Sequence, residues 1–173
     1  FESAVIDTGN LFAYFGFYTI PAAQVCKIDV NPANTFAKVA CITSNEAYFR
    51  SAVIDTVNQF AYYGTLQTPG RVCKINISPT NFSQHDACVV LDSGENYLRS
   101  AVIDPNTQML YFGTYTSPAK VVRLTTGDPT TTTTTSSSTV PPTTSTSTTI
   151  LTSSTTITDP STTPLSTTTQ SPS

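Results

Sequence analysis

Ser3-Ala4-Val5-Ile6-Asp7 returns as Ser51-Ala52-Val53-Ile54-Asp55 and again as Ser100-Ala101-Val102-Ile103-Asp104. The copies lie 48 and then 49 residues apart. More text keeps the same phase. Ala13-Tyr14-Phe15-Gly16 is matched by Ala61-Tyr62-Tyr63-Gly64 and Leu110-Tyr111-Phe112-Gly113. A proline follows each glycine at the same distance: Pro21, Pro69 and Pro118. Self-similarity at a fixed period of this length marks stacked supersecondary units, none of which can bury its apolar face alone.

Outside the phrase, composition divides the 173 residues in two. Residues 1–125 hold every aromatic, every cysteine and every Lys or Arg; from Pro129 onward the chain is almost wholly Thr, Ser and Pro. Only the first part can form a core, and it has the size of one ordinary domain. Net charge is −3 and the pI about 4.8. Nucleic acid and anionic membrane surfaces call for a basic patch, so neither is an expected partner. No apolar run reaches the roughly 18 residues of a membrane span. The chain opens at Phe1 without an initiator Met, which reads as a mature or trimmed chain.

Each unit reads as four short strands. The first is the Ala-Val-Ile run, apolar on consecutive residues and therefore covered on both faces. Turns follow at Thr8-Gly9-Asn10, Thr56-Val57-Asn58 and Asp104-Pro105-Asn106-Thr107, the last with the Asp-Pro signal of a type I turn. The second strand is aromatic (12–19, 60–65, 109–116), and its glycine marks a bulge or a close backbone approach. In the third strand Cys26, Ile28 and Val30 share one face and Val25, Lys27 and Asp29 the other. The fourth runs over 36–43 and 86–91. The expected fold is all-β: tandem four-stranded antiparallel blade-like sheets, about 2.75 units, then an extended non-globular tail. The units are 1–49, 50–98 and 99–125 in a β-repeat domain 1–125, with the tail at 126–173.

Four antiparallel strands in nearly fifty residues is the plan of a β-propeller blade. The pattern AVID … AYFGTYT-P … VVKI, clearest over 100–124, resembles the YVTN and NHL class of extracellular propeller repeats. The resemblance covers residues 1–125 and implies blade-like sheets. The count departs from it. Eleven strands are legible, and the third unit stops after its third strand, at Leu124. A propeller closes with roughly four to eight blades. An uncovered sheet edge is a template for strand addition, so the missing strand is expected from a neighbouring molecule rather than from the tail folding back.

Four cysteines, Cys26, Cys41, Cys73 and Cys88, form two in-unit pairs with a spacing of 15. The third unit has Val122 at the position of Cys26 and Cys73, and lacks the strand that would carry a partner. Cysteine is absent where its partner is absent, which favours Cys26–Cys41 and Cys73–Cys88 over the other two pairings. Each such bridge stabilises by roughly 3 kcal/mol in the chain-entropy account and implies an oxidising, extracellular setting. Metal binding needs clustered ligands, and His85 is the only histidine.

The tail has a mucin-like composition, which marks O-glycosylation. Candidate acceptors are Thr130, Thr131, Thr132, Thr133, Thr134, Thr135, Ser136, Ser137, Ser138, Thr139, Thr143 and Thr144. A polyproline II course at about 3.1 Å per residue would carry the tail over roughly 140 Å. A plain disordered linker has the same composition. Two N-glycosylation sequons begin at Asn76 and Asn81. Asn76 is expected on the polar, solvent-facing side of the third strand, and Asn81 in a loop.

No catalytic constellation is legible. Asp7, Asp55 and Asp104 read as caps of their own turns rather than a ring of cation ligands. Glu46 with Arg50, and Glu95 with Arg99, read as ion pairs in the inter-unit loops. His85 has no nucleophile beside it, and an acid-base site needs convergent groups. The stripe of Tyr14, Phe15, Tyr62, Tyr63, Tyr111 and Phe112 reads as packing between sheets. The expected protein is not an enzyme, holds no cofactor or metal, and carries covalent glycans. Its expected role is structural: a secreted glycoprotein whose copies join head to tail into an extracellular fibril or surface appendage. The alternative is a carbohydrate- or protein-binding propeller fragment on a mucin-like stalk, which further in-phase repeats upstream of Phe1 would favour. A propeller hydrolase would vary its metal-binding acids from blade to blade, whereas these units repeat the same ones.

Overall fold

Each Ala-Val-Ile strand ends on an aspartate whose carboxylate closes the next turn. Asp7 Oδ1 accepts from the N–H groups of Gly9 and Asn10, both at 3.0 Å. Asp55 Oδ1 does so from Val57 and Asn58, at 3.1 and 3.0 Å. Asp104 accepts from the Asn106 N–H at 2.9 Å and the Thr107 hydroxyl at 2.6 Å. Each turn leaves through a left-handed residue, Leu11, Gln59 or Gln108, at φ 56, 59 and 55°. Four-residue connections of this kind return a strand antiparallel to itself, which lays the aromatic strand beside the apolar one.

The computed structural model describes residues 1–127 and 134–137. Their strands are β1 Ser3–Asp7, β2 Phe12–Gly16, β3 Gln24–Asp29, β4 Ala37–Thr43, β5 Phe49–Asp55, β6 Phe60–Thr65, β7 Arg71–Ser78, β8 Asn81–Val90, β9 Leu98–Asp104, β10 Met109–Thr114, β11 Lys120–Thr125 and β12 Thr134–Ser137. They make three four-stranded antiparallel sheets in the orders β1-β2-β3-β4, β5-β6-β7-β8 and β9-β10-β11-β12. The fold is all-β, and among the described residues the sheets close into neither a barrel nor a propeller ring. Among the same residues no helix is long and apolar enough to cross a membrane. The three in-phase prolines follow cis peptide bonds.

Three expectations need correction. The third sheet has a fourth strand of its own: β12 pairs with β11, Lys120 opposite Ser137 and Val122 opposite Thr135. A backbone edge can be satisfied by any strand, whatever its side chains, and the intervening residues 126–133 give the chain length enough to return. The fourth strand of the second unit starts earlier than 86. Ser78 pairs with Asn81 across the two-residue connection Pro79-Thr80, so Asn81 opens β8, and His85 lies within it. Within β3, Val25 and Lys27 are both buried. Lys27 lays its ammonium 3.9 Å from the Phe12 ring centroid, where the ring face attracts it. The loop ion pairs are also partnered differently: Arg50 bonds Glu2, and Glu46 bonds Arg71.

Tail positions Thr130, Thr131, Thr132, Thr133, Ser138, Thr139, Thr143 and Thr144 lie outside the described residues, as does the expected extended course of the tail beyond Ser137.

Candidate assembly interface

Neighbouring residues of one strand point to opposite faces, and this alternation sorts the core into two layers. Tyr63 and Cys73 join one buried cluster with Tyr14 and Val25 of the first sheet. Their immediate neighbours Tyr62 and Val72 join the other, with Leu110, Phe112, Val122 and Leu124 of the third sheet. Every sheet therefore has a front face, with the residues in phase with Ile54, Tyr63 and Cys73. Its back face holds those in phase with Val53, Tyr62, Gly64 and Val72. The back of the first sheet packs on the front of the second, and the back of the second on the front of the third.

Polar groups tie the two joints in the same way. The Tyr14 hydroxyl donates to the Ile77 carbonyl at 3.0 Å, and the Tyr62 hydroxyl to the Thr126 carbonyl at 2.6 Å. Asn10 Nδ2 donates to Gln59 Oε1 at 3.2 Å, and Asn58 Nδ2 to Gln108 Oε1 at 3.0 Å. Burial, reinforced by the nearby Asp7 carboxylate, pushes the Tyr14 hydroxyl up to about 12. Tyr62 is raised by the same two causes, with Asp55 as its neighbour. Burial lowers Lys27 against the opposing pull of Asp7. Each of these tyrosines is thus a neutral donor inside a dry joint.

Among the described residues two faces remain without a partner: the front of the first sheet and the back of the third. On the back of the third, Val102 is 62% exposed where its in-phase residue Val53 is 6%, and Val121 is 45% exposed where Val72 is 2%. Tyr111 is half-buried where Tyr14 and Tyr62 are fully buried. On the front of the first sheet Ile6 is 51% exposed, and Phe15 is half-buried where Tyr63 is fully buried. The same residue types are wet at the ends of the stack and dry inside it.

The cysteines join as Cys26–Cys41 and Cys73–Cys88, each bridging the third and fourth strands of its sheet. Both bridges lie on front faces. Cys73 is buried between two sheets, while Cys41 is exposed at the free end face. Two disulfides fit an oxidising compartment such as the extracellular space. Asn81 is exposed, and its Oδ1 accepts from the Ser83 hydroxyl at 2.9 Å. Asn76 is half-buried on the back face of the second sheet, its Oδ1 taking the Ser78 N–H at 2.9 Å. That face packs on the third sheet, and Asn76 is partly covered there. Thr134, Thr135, Ser136 and Ser137 form β12. Of the aromatic stripe, Tyr14, Tyr62, Tyr63 and Phe112 are buried between sheets, and Phe15 and Tyr111 lie at the free ends.

Sequence reasoning did not distinguish the two end faces. The signal was present: Val102 and Val121 stand in phase with Val53 and Val72, and the residues themselves do not differ. Among the described residues no three His, Cys, Asp or Glu side chains gather as a metal site. No protein-family profile matches the chain, and no curated protein matches it.

Proposed function

We propose that this chain is a secreted structural glycoprotein whose copies stack head to tail into an extracellular fibril or surface appendage. The observation that carries the reading is the mismatch at the ends. A back face and a front face that are buried against each other twice within one chain recur once each without a partner among the described residues. The partner that fits each is another copy of the chain. A contact between two different patches of one molecule propagates, and it yields an open filament when the rotation does not close. The disulfides support an extracellular setting. The Ser/Thr acceptors of the tail and the exposed Asn81 would carry the glycan coat. No cofactor takes part in this reading.

Electron microscopy and sedimentation velocity of the full-length oxidised protein over a concentration series test it. Filaments should form above a critical concentration. Discrete monomers at every concentration, or closed rings of fixed number, refute the reading.

A further inference from the structure

We infer that the junction between copies repeats the register of the internal joints, which gives the fibril a single polarity. This rests on the stacking reading above and goes further by naming which atoms meet.

Both internal joints seat a front-face aromatic ring over a back-face glycine. A Cβ at Gly16 would come within 2.9 Å of the Tyr63 ring, and one at Gly64 within 3.0 Å of the Phe112 ring. Neither glycine can be replaced by a larger residue without displacing that ring. Gly113 is the third glycine of the series, and a Cβ there would meet only Ser100 of its own sheet. A hollow of about 160 Å³ opens at this point, walled by Ser100, Ala101, Val102, Tyr111 and Val121. The ring in phase with Tyr63 and Phe112 is Phe15, at the opposite end of the molecule. Phe15 of the next copy fills the hollow over Gly113.

Two polar contacts extend in step. Tyr14 and Tyr62 donate to the carbonyls of Ile77 and Thr126. Continuing the phase, Tyr111 donates to the Val30 carbonyl of the next copy. Glu2 pairs with Arg50 across the first joint. Arg99 is in phase with Arg50, so the junction brings Arg99 to Glu2 of the next copy with opposite signs. One bond of the internal joints is lost, because the Asn10–Gln59 positions become Thr107 and Leu11. Back-to-back stacking offers no aromatic in phase for either Gly113 hollow. Front-to-front stacking leaves both hollows empty. The asymmetric joint alone fills them.

The test uses two full-length variants, each blocking one end with a buried charge: Ile6→Asp on the front face and Val121→Asp on the back. Both positions are solvated in the monomer, and circular dichroism checks the fold. Phe15→Asp and Val102→Asp serve as a replacement pair if either misfolds. Wild-type protein should polymerise, each variant alone should stay monomeric, and an equal mixture should give dimers and nothing larger. Dimers of either variant by itself, or filaments from either, overturn the register while leaving the fibril standing. Wild-type chain that stays monomeric overturns both.

Discussion

Valine-to-alanine changes at two in-phase positions separate folding from assembly. The substitution removes two methyl groups, each worth about 0.8 kcal/mol when fully buried. Val53 is 6% exposed and Val102 is 62% exposed. Val53→Ala should therefore destabilise the monomer by about 1.5 kcal/mol from lost burial, with a further cavity contribution of about 1 kcal/mol. Val102→Ala should cost the monomer only about 0.6 kcal/mol, because roughly six-tenths of the side chain still faces water. That remainder is dehydrated when the next copy docks, which is about 1 kcal/mol per junction. The critical concentration should rise about fivefold, since each 1.4 kcal/mol is tenfold in an equilibrium constant. The strand-propensity cost of alanine is common to both positions and cancels. Urea melts of monomer at low concentration and pelleting assays at high concentration read the two quantities. An unchanged critical concentration for Val102→Ala, or equal losses of monomer stability for the two variants, would show that the back face of the third sheet is not an assembly surface.

Further tests follow from the same geometry. Thiol reductants should open Cys26–Cys41 before Cys73–Cys88 in the monomer, because Cys41 is exposed and Cys73 is buried between sheets. Mass spectrometry of alkylated peptides should then show Cys26–Cys41 protected once filaments form, and equal rates in both states would count against the end-face assignment. Tyr62→Phe should lower monomer stability by about 1 kcal/mol through loss of one buried hydrogen bond. The in-phase Tyr111→Phe should instead raise the critical concentration about fivefold and leave the urea midpoint unchanged. At alkaline pH, Tyr14 in the fold ionises at about 12 rather than 10. The unfolded chain loses its phenolic proton first, so this contribution is complete below pH 10 and is lost as the pH rises through about 12. Tyrosinate absorbance and far-ultraviolet circular dichroism should therefore change together above pH 10. Ionisation of all the tyrosines near pH 10 with the fold intact would contradict the burial.

The three sheets were legible because in-phase text and alternating side chains determine strand and face directly, and the cysteine pairing was legible because the third unit lacks both members. The fourth strand of the third sheet was not. Thr134–Ser137 carries no apolar alternation, and its pairing rests on backbone groups that every residue possesses. On the third strands, polar residues at alternate positions ordinarily mean a wet face. Here Lys27 is covered, with its ammonium over the Phe12 ring, and Asn76 spends its amide oxygen on the Ser78 N–H. The ion pairs were misassigned for a related reason. Closeness in sequence favoured Glu46 with Arg50, whereas stacking brings Arg50 to Glu2, 48 residues away.

In the first two sheets a disulfide locks the outermost strand to its neighbour; in the third, β12 is held to β11 with Val122 in place of a cysteine. A pull on the carboxyl-terminal segment would load that short pairing before any covalent link. The third sheet alone has no covalent lock on its outermost described strand.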